Sequence, residues 1–211
     1  MGQPGGEMTS EILTLFPTRI YRANITDADL LAEIVAAAEV LSVDDEAGRK
    51  WCRDNGYPGY TSYASLDDLP WRFPAFKALA KQIDSHVKAF AKTLEFDLGG
   101  GKLAMDSYWV NVLPEGGFHA AHIHPNSVIS GTFYAAIPKG ASAIRFEDPR
   151  HAMMMAAPPR KKKATRDNQS FVSLQPEAGT LLLWESFLRH DVPMNRSEDE
   201  RISVSFNYNW V

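Results

Sequence analysis

Three histidines carry the chemistry this sequence could do. His122 and His124 stand two residues apart in His122-Ile123-His124-Pro125. In an extended chain, residues i and i+2 project to one side. Both imidazoles therefore face the same way if this segment is a strand. Pro125 favours that state, because a proline keeps the residue before it out of the helical region. His190, in Trp184-Glu185-Ser186-Phe187-Leu188-Arg189-His190, supplies a third nitrogen donor. Three protein ligands leave positions open on a metal for a reacting molecule, whereas a structural site is closed. A bare His-x-His pair also arises by chance in a chain of 211 residues. The surrounding residues have to decide.

The last stretch before the C-terminus is informative. From Arg201 to Trp210, alternate residues read Arg201, Ser203, Ser205, Asn207 and Asn209 on one face. The other face reads Ile202, Val204, Phe206, Tyr208 and Trp210. A strand with a wholly apolar face packs on something. Its polar face then lines a cavity or meets solvent. A guanidinium at Arg201 beside the Ser203 hydroxyl can hold a carboxylate through paired hydrogen bonds.

These side chains need elements to position them. Residues 1–9 read as a flexible arm. Residues 11–23 are rich in strand formers but broken by Pro17, which predicts an edge strand. Thr26 is the expected N-cap of a helix with Asp27 and Asp29 in its first turn. Leu30, Ile34, Ala38 and Leu41 recur along it at helical spacing. Residues 44–70 show no sustained period and read as a loop with Tyr57, Tyr60 and Tyr63, either a surface connection or a lid. Pro74 opens a second helix at its first position, with Phe76, Leu79, Ile83, Val87, Phe90 and Leu94 in one apolar stripe. From Leu103 the pattern changes to short strands, expected at 104–113, 118–123, 128–137, 142–147, 170–175, 180–185 and 201–210. Glycine- and proline-rich turns separate them. The basic run at 160–166 reads as a solvated loop or, alternatively, as a mobile lid that favours an acidic substrate.

Composition bounds the rest. The net charge of −4 and the absence of aromatics from the basic run argue against a nucleic-acid partner. The single cysteine, Cys52, excludes an internal disulfide and fits a reducing compartment. No signal peptide or membrane-spanning run is evident, so the expected address is cytoplasmic. The whole chain, 1–211, reads as a single domain: a helical support region over 1–102 and a strand-rich core over 103–211.

In this order the residues resemble the iron(II)/2-oxoglutarate-dependent oxygenase superfamily, whose motif is HxD/E, a distal His, and an Arg about ten residues later, often as RxS. His122-Ile123-His124, His190 and Arg201-Ile202-Ser203 occupy those places. A closer likeness is to small bacterial and phage proteins with HxHP…SGxxY, FxDPR and RISxSFN segments. Here these are His122–Tyr134, Phe146–Arg150 and Arg201–Asn207.

The resemblance implies a double-stranded β-helix, a cupin-like jelly-roll barrel backed by N-terminal helices. It implies Fe(II) on His122, His124 and His190. It also implies the cosubstrate 2-oxoglutarate on Arg201, Ser203 and Tyr134, with Asn111 on a neighbouring strand. Its partners would be O₂ and a small-molecule or peptide substrate, with a homodimer left open. His124 stands where the superfamily has Asp or Glu. Three neutral imidazoles leave the full +2 charge on a metal, which favours a dianion and also admits zinc. Two other readings stay open: a three-His dioxygenase that needs no 2-oxoglutarate, and a non-catalytic cupin-like binding module. Cupins proper need a Glu four or five residues past the second His, and this chain has Val128 and Ile129 there.

The remaining histidines carry weaker expectations. His86 lies beside the helix stripe and reads as structural. His119, three residues before His122, falls off its face in a regular strand, with a place next to the metal ligands or the substrate as the lesser reading. His151 sits in a loop. Glu185 is the expected partner for the second ring nitrogen of His190.

Overall fold

A computed structural model describes residues 10–211. The arm expected at residues 1–9 lies outside them. The elements in chain order are β1 (Tyr21–Asn24), α1 (Ala28–Asp44), α2 (Glu46–Asp54), β2 (Tyr60–Thr61), α3 (Leu69–Arg72) and α4 (Pro74–Thr93). The strands β3 (Leu103–Leu113), β4 (His119–His122), β5 (Ile129–Ala136), β6 (Ile144–Glu147), β7 (Phe171–Leu174), β8 (Thr180–Glu185), β9 (His190–Val192) and β10 (Arg201–Trp210) follow.

A six-stranded sheet has the order β1-β8-β5-β10-β3-β2, and a four-stranded sheet has the order β4-β9-β6-β7. The pairings are antiparallel. This is a double-stranded β-helix, the jelly roll that the resemblance implies.

Alternation divides the large sheet between two cores. Ile202, Val204, Phe206 and Tyr208 of β10 join Leu181 and Leu183 of β8 in a cluster with Ile34 of α1 and Phe76, Leu79 and Ile83 of α4. The apolar stripe of α4 and the apolar face of β10 are thus two sides of one core. Leu182 and Trp184 of β8 and Tyr134 of β5 turn the other way, toward Ile144, Phe146 and Val192 of the small sheet. Arg201, Ser203 and Ser205 of β10 line a cavity in this interior. At Gly131 the sheet face is crowded, since an added Cβ would come within 2.4 Å of the Phe206 ring.

Three local expectations are corrected. The N-cap of α1 is Asp27, whose carboxylate accepts from Leu30 N at 3.0 Å; Thr26 lies one residue outside. The segment 44–70 is not a plain loop. It contains α2, whose buried residues are only Gly48 and Cys52, and β2, which pairs with β3. Asp45 joins them, capping α2 at Gly48 N and accepting from the Tyr60 and Ser65 hydroxyls. The strand expected over 11–23 is confined to β1, though it does lie at the sheet edge.

The cap correction is measurable. Asp27→Ala lowers the unfolding free energy by about 1 kcal/mol in urea titration, and Thr26→Ala leaves it within error. Equal losses would return the cap to Thr26. Among the described residues no helix is long and apolar enough to cross a membrane.

Candidate metal centre

His122 ends β4 and His190 opens β9, and the two are direct partners across the ladder. His124 lies two residues beyond the strand, where its N–H donates to the Ser186 carbonyl at 3.0 Å. The hydrogen bond from Ser127 N to the His124 carbonyl, 3.2 Å, closes a turn there. One nitrogen from each of the three rings lies within 4.8 Å of those of the other two. The spacing of the His-x-His pair therefore does what it predicts, although only its first member is inside a strand.

The tautomers of two rings follow from their partners. Nδ1 of His122 lies 2.7 Å from the Ala120 carbonyl, and Nδ1 of His190 lies 2.9 Å from the Leu188 carbonyl. A carbonyl only accepts, so each Nδ1 carries the proton and each Nε2 presents a lone pair. Leu188, not Glu185, is thus the partner of His190, because the turn after β8 folds its own carbonyl back onto the ring. Burial, with His122 nearby, holds His190 at about 3 and His124 at about 4, far below the ordinary histidine value. Both are neutral at pH 7 and ready to ligate.

Arg201 lies in the same cavity as the three rings. It is 1% exposed, and among the described residues no carboxylate pairs with it. Its Nη1 is 3.4 Å from Ser203 Oγ, and its Cζ stands 5.0 Å from the centre of the Tyr134 ring. Burial lowers the Arg201 value. Burial also pushes the Tyr134 hydroxyl up to about 12, with the arginine pulling back.

Arg201 Nε, Tyr134 Oη and Trp184 Nε1 are buried without a hydrogen-bond partner, and all three residues line this cavity. Buried polar atoms are normally paired, so three orphans in one cavity mark a place built for a polar ligand. Asn111 also lines it, with its amide donating to Ser205 at 3.1 Å.

The donor sets fit the groups that the resemblance implies. Three converging neutral imidazoles suit a first-row divalent metal with open positions. The buried guanidinium with orphaned donors suits a carboxylate.

His119 is the main correction at the site. The β4–β9 register shifts between His119 and His122, and this bulge turns His119 into the same cavity. The Tyr57 hydroxyl is 3.3 Å from its Nδ1 and 3.4 Å from its Nε2. Burial, then the charge of Arg201, holds His119 at about 3. Trp109 and Trp184 also line the cavity and were not singled out. Trp109 shares a strand face with Asn111, which was the available signal. His86 bonds the Tyr21 hydroxyl and His151 packs on Phe171, both away from the site.

Fold and site together define a jelly roll that carries three converging imidazoles and a buried arginine in one cavity. A family model described as "Putative 2OG-Fe(II) oxygenase" matches residues 107–207, a little under half of the chain. The fold is shared with solved structures at low identity. A prolyl-4-hydroxylase from Pseudomonas putida is 14% identical with a TM-score of 0.57, over 90% of this chain and 92% of that one. HygX from Streptomyces hygroscopicus, solved with nickel, 2-oxoglutarate and hygromycin B, is 13% identical with a TM-score of 0.60, over 91% and 83%. The epimerase SnoN, solved with Fe3+, alpha-ketoglutarate and nogalamycin RO, is 15% identical with a TM-score of 0.61, over 91% and 79%. A search of the curated proteins found no match.

Proposed function

We propose that this chain is an iron(II)- and 2-oxoglutarate-dependent oxygenase, with His122, His124 and His190 as metal ligands. Arg201, Ser203 and Tyr134 seat the distal carboxylate of the cosubstrate, with Asn111 in the adjoining wall. One observation carries the reading: a fully buried arginine, without an acidic partner among the described residues, shares a cavity with three neutral imidazoles. An isolated buried cation is costly. A dianion gripped by the metal at one end and by the guanidinium at the other answers that charge. A three-His dioxygenase without 2-oxoglutarate would have no use for this clamp.

When bound, iron and 2-oxoglutarate supply oxidation by O₂, with the keto acid converted to succinate and CO₂. The chain's own residues bind, orient and exclude. The carbonyls of Ala120 and Leu188 hold two ligand rings in register, as partners of ligating histidines do. Trp184 and Phe146 flank His190 at 4.7 and 6.0 Å between ring centres and keep water from that side. Trp109 stands beside His124 with Tyr63 stacked edge-on at its outer side. These rings offer a surface to a small molecule or a peptide side chain.

This chain, loaded with iron(II) and given 2-oxoglutarate, ascorbate and O₂, should form succinate slowly without a primary substrate. Stoichiometric iron with neither succinate nor 2-oxoglutarate binding would end this reading.

A further inference from the structure

The bulge in β4 raises a question of use. His119 pairs with Val192 and His122 with His190, so three steps on one strand oppose two on the other. In a regular strand His119 and His122 would face opposite sides. Bulges of this kind re-aim a side chain beside an active site. Here the bulge brings a fourth imidazole into the cavity, yet His119 is outside the group of three whose nitrogens converge. It is therefore placed for something other than the metal.

Its surroundings say what. Tyr57 arrives from 62 residues earlier in the chain, packs against the inner core, and sets its hydroxyl within reach of either ring nitrogen of His119. A neutral imidazole has one donor and one acceptor. With Tyr57 engaging one nitrogen, the other stays free for a group in the cavity. His119 and Arg201 line one cavity, and Tyr57 packs on the cluster that holds Tyr134, whose ring centre is 5.0 Å from the Arg201 Cζ, which puts the pair toward the guanidinium end. A ligand that meets Arg201 there is an anion.

We propose that His119 binds the distal carboxylate of the cosubstrate beside Arg201, and that Tyr57 is the positioning residue that orients it. This rests on the reading of the site as a 2-oxoglutarate pocket. His119 thereby selects for a keto acid that carries a second carboxylate. The sequence between the tyrosine loop and the first metal ligand is then part of cosubstrate recognition.

The test uses the full chain loaded with manganese(II) and calorimetric titration with two probes. 2-Oxoglutarate has the distal carboxylate, and 2-oxobutyrate lacks it. His119→Ala should weaken 2-oxoglutarate about 10- to 100-fold, the range for one hydrogen bond to a charged group, while 2-oxobutyrate changes less than about twofold. Tyr57→Phe should show a smaller loss with the same split. His119→Gln, which restores a donor, should recover part of the affinity.

Manganese affinity reports whether each variant retains the metal site, and it should hold in all three. The proposal is overturned if His119→Ala leaves 2-oxoglutarate unchanged, weakens both acids equally, or loses manganese. If the unaltered protein binds manganese but not 2-oxoglutarate, the oxygenase reading itself fails. Retained 2-oxoglutarate binding with no effect at His119 removes only this proposal.

Discussion

Arg201→Met should weaken 2-oxoglutarate binding by at least about 30-fold and at the same time make the ligand-free protein more stable. The two effects have one cause. Arg201 is 1% exposed, lacks an acidic partner among the described residues, and has an orphaned Nε. Truncating one partner of a buried, hydrogen-bonded charge pair costs about 2–5 kcal/mol, which is roughly 30- to several-thousand-fold in Kd. Without the ligand the same guanidinium is a buried charge that nothing answers. Replacing buried ionic groups by apolar ones is neutral to stabilising by about 1–4 kcal/mol.

Methionine fills much of the same volume beside the Tyr134 ring and adds no charge. In a chain of this size each kcal/mol moves Tm by about 2–4 °C. Thermal scans with and without 2-oxoglutarate should show the variant melting higher alone and gaining nothing from ligand. A variant that melts lower alone, or still gains from 2-oxoglutarate, contradicts the assignment of Arg201.

The second large effect is at His190. His190→Ala should leave the protein without stoichiometric iron after dialysis, an affinity loss of at least about 100-fold, since even the outer partners of metal ligands are worth 10–100-fold. His190 is the most enclosed of the three, 5% exposed and oriented by the Leu188 carbonyl, so water does not easily take its place. His124→Asp should behave differently. A carboxylate also ligates divalent iron, so metal stays. The site then carries one less positive charge, and 2-oxoglutarate binds more weakly. Metal analysis and calorimetry on the two variants read both outcomes. Full iron in His190→Ala would remove that residue from the ligand set.

Much of this was legible in the sequence, for identifiable reasons. The helix stripe at Phe76–Phe90 and the alternation at Arg201–Trp210 are long and strictly periodic, and both fall where expected. The order of His122, His124, His190 and Arg201 survives because the barrel brings together what the pattern lists in sequence. The misses are short or nonlocal. α2 buries little, so its sequence has no stripe to read. β9 has three residues, too few for any period.

The placement of His119 depends on a bulge, which no alternation rule can see. Its partner Tyr57 comes from a segment that only the fold brings near. The partner of His190 is a backbone carbonyl, which every residue has and no residue type announces.

That His122 and His190 are partners on one rung of the β4–β9 ladder has a consequence for how the chain finds its shape. A strand of three residues specifies its register weakly, and a slip by one residue turns every side chain to the opposite face. Such a slip would part the two nitrogens. An ion that needs both binds only chains whose rung is correctly matched, and by mass action it draws the population toward them. A metal held by both rings would thus act as a proofreader of strand pairing, checking the fold before any reaction.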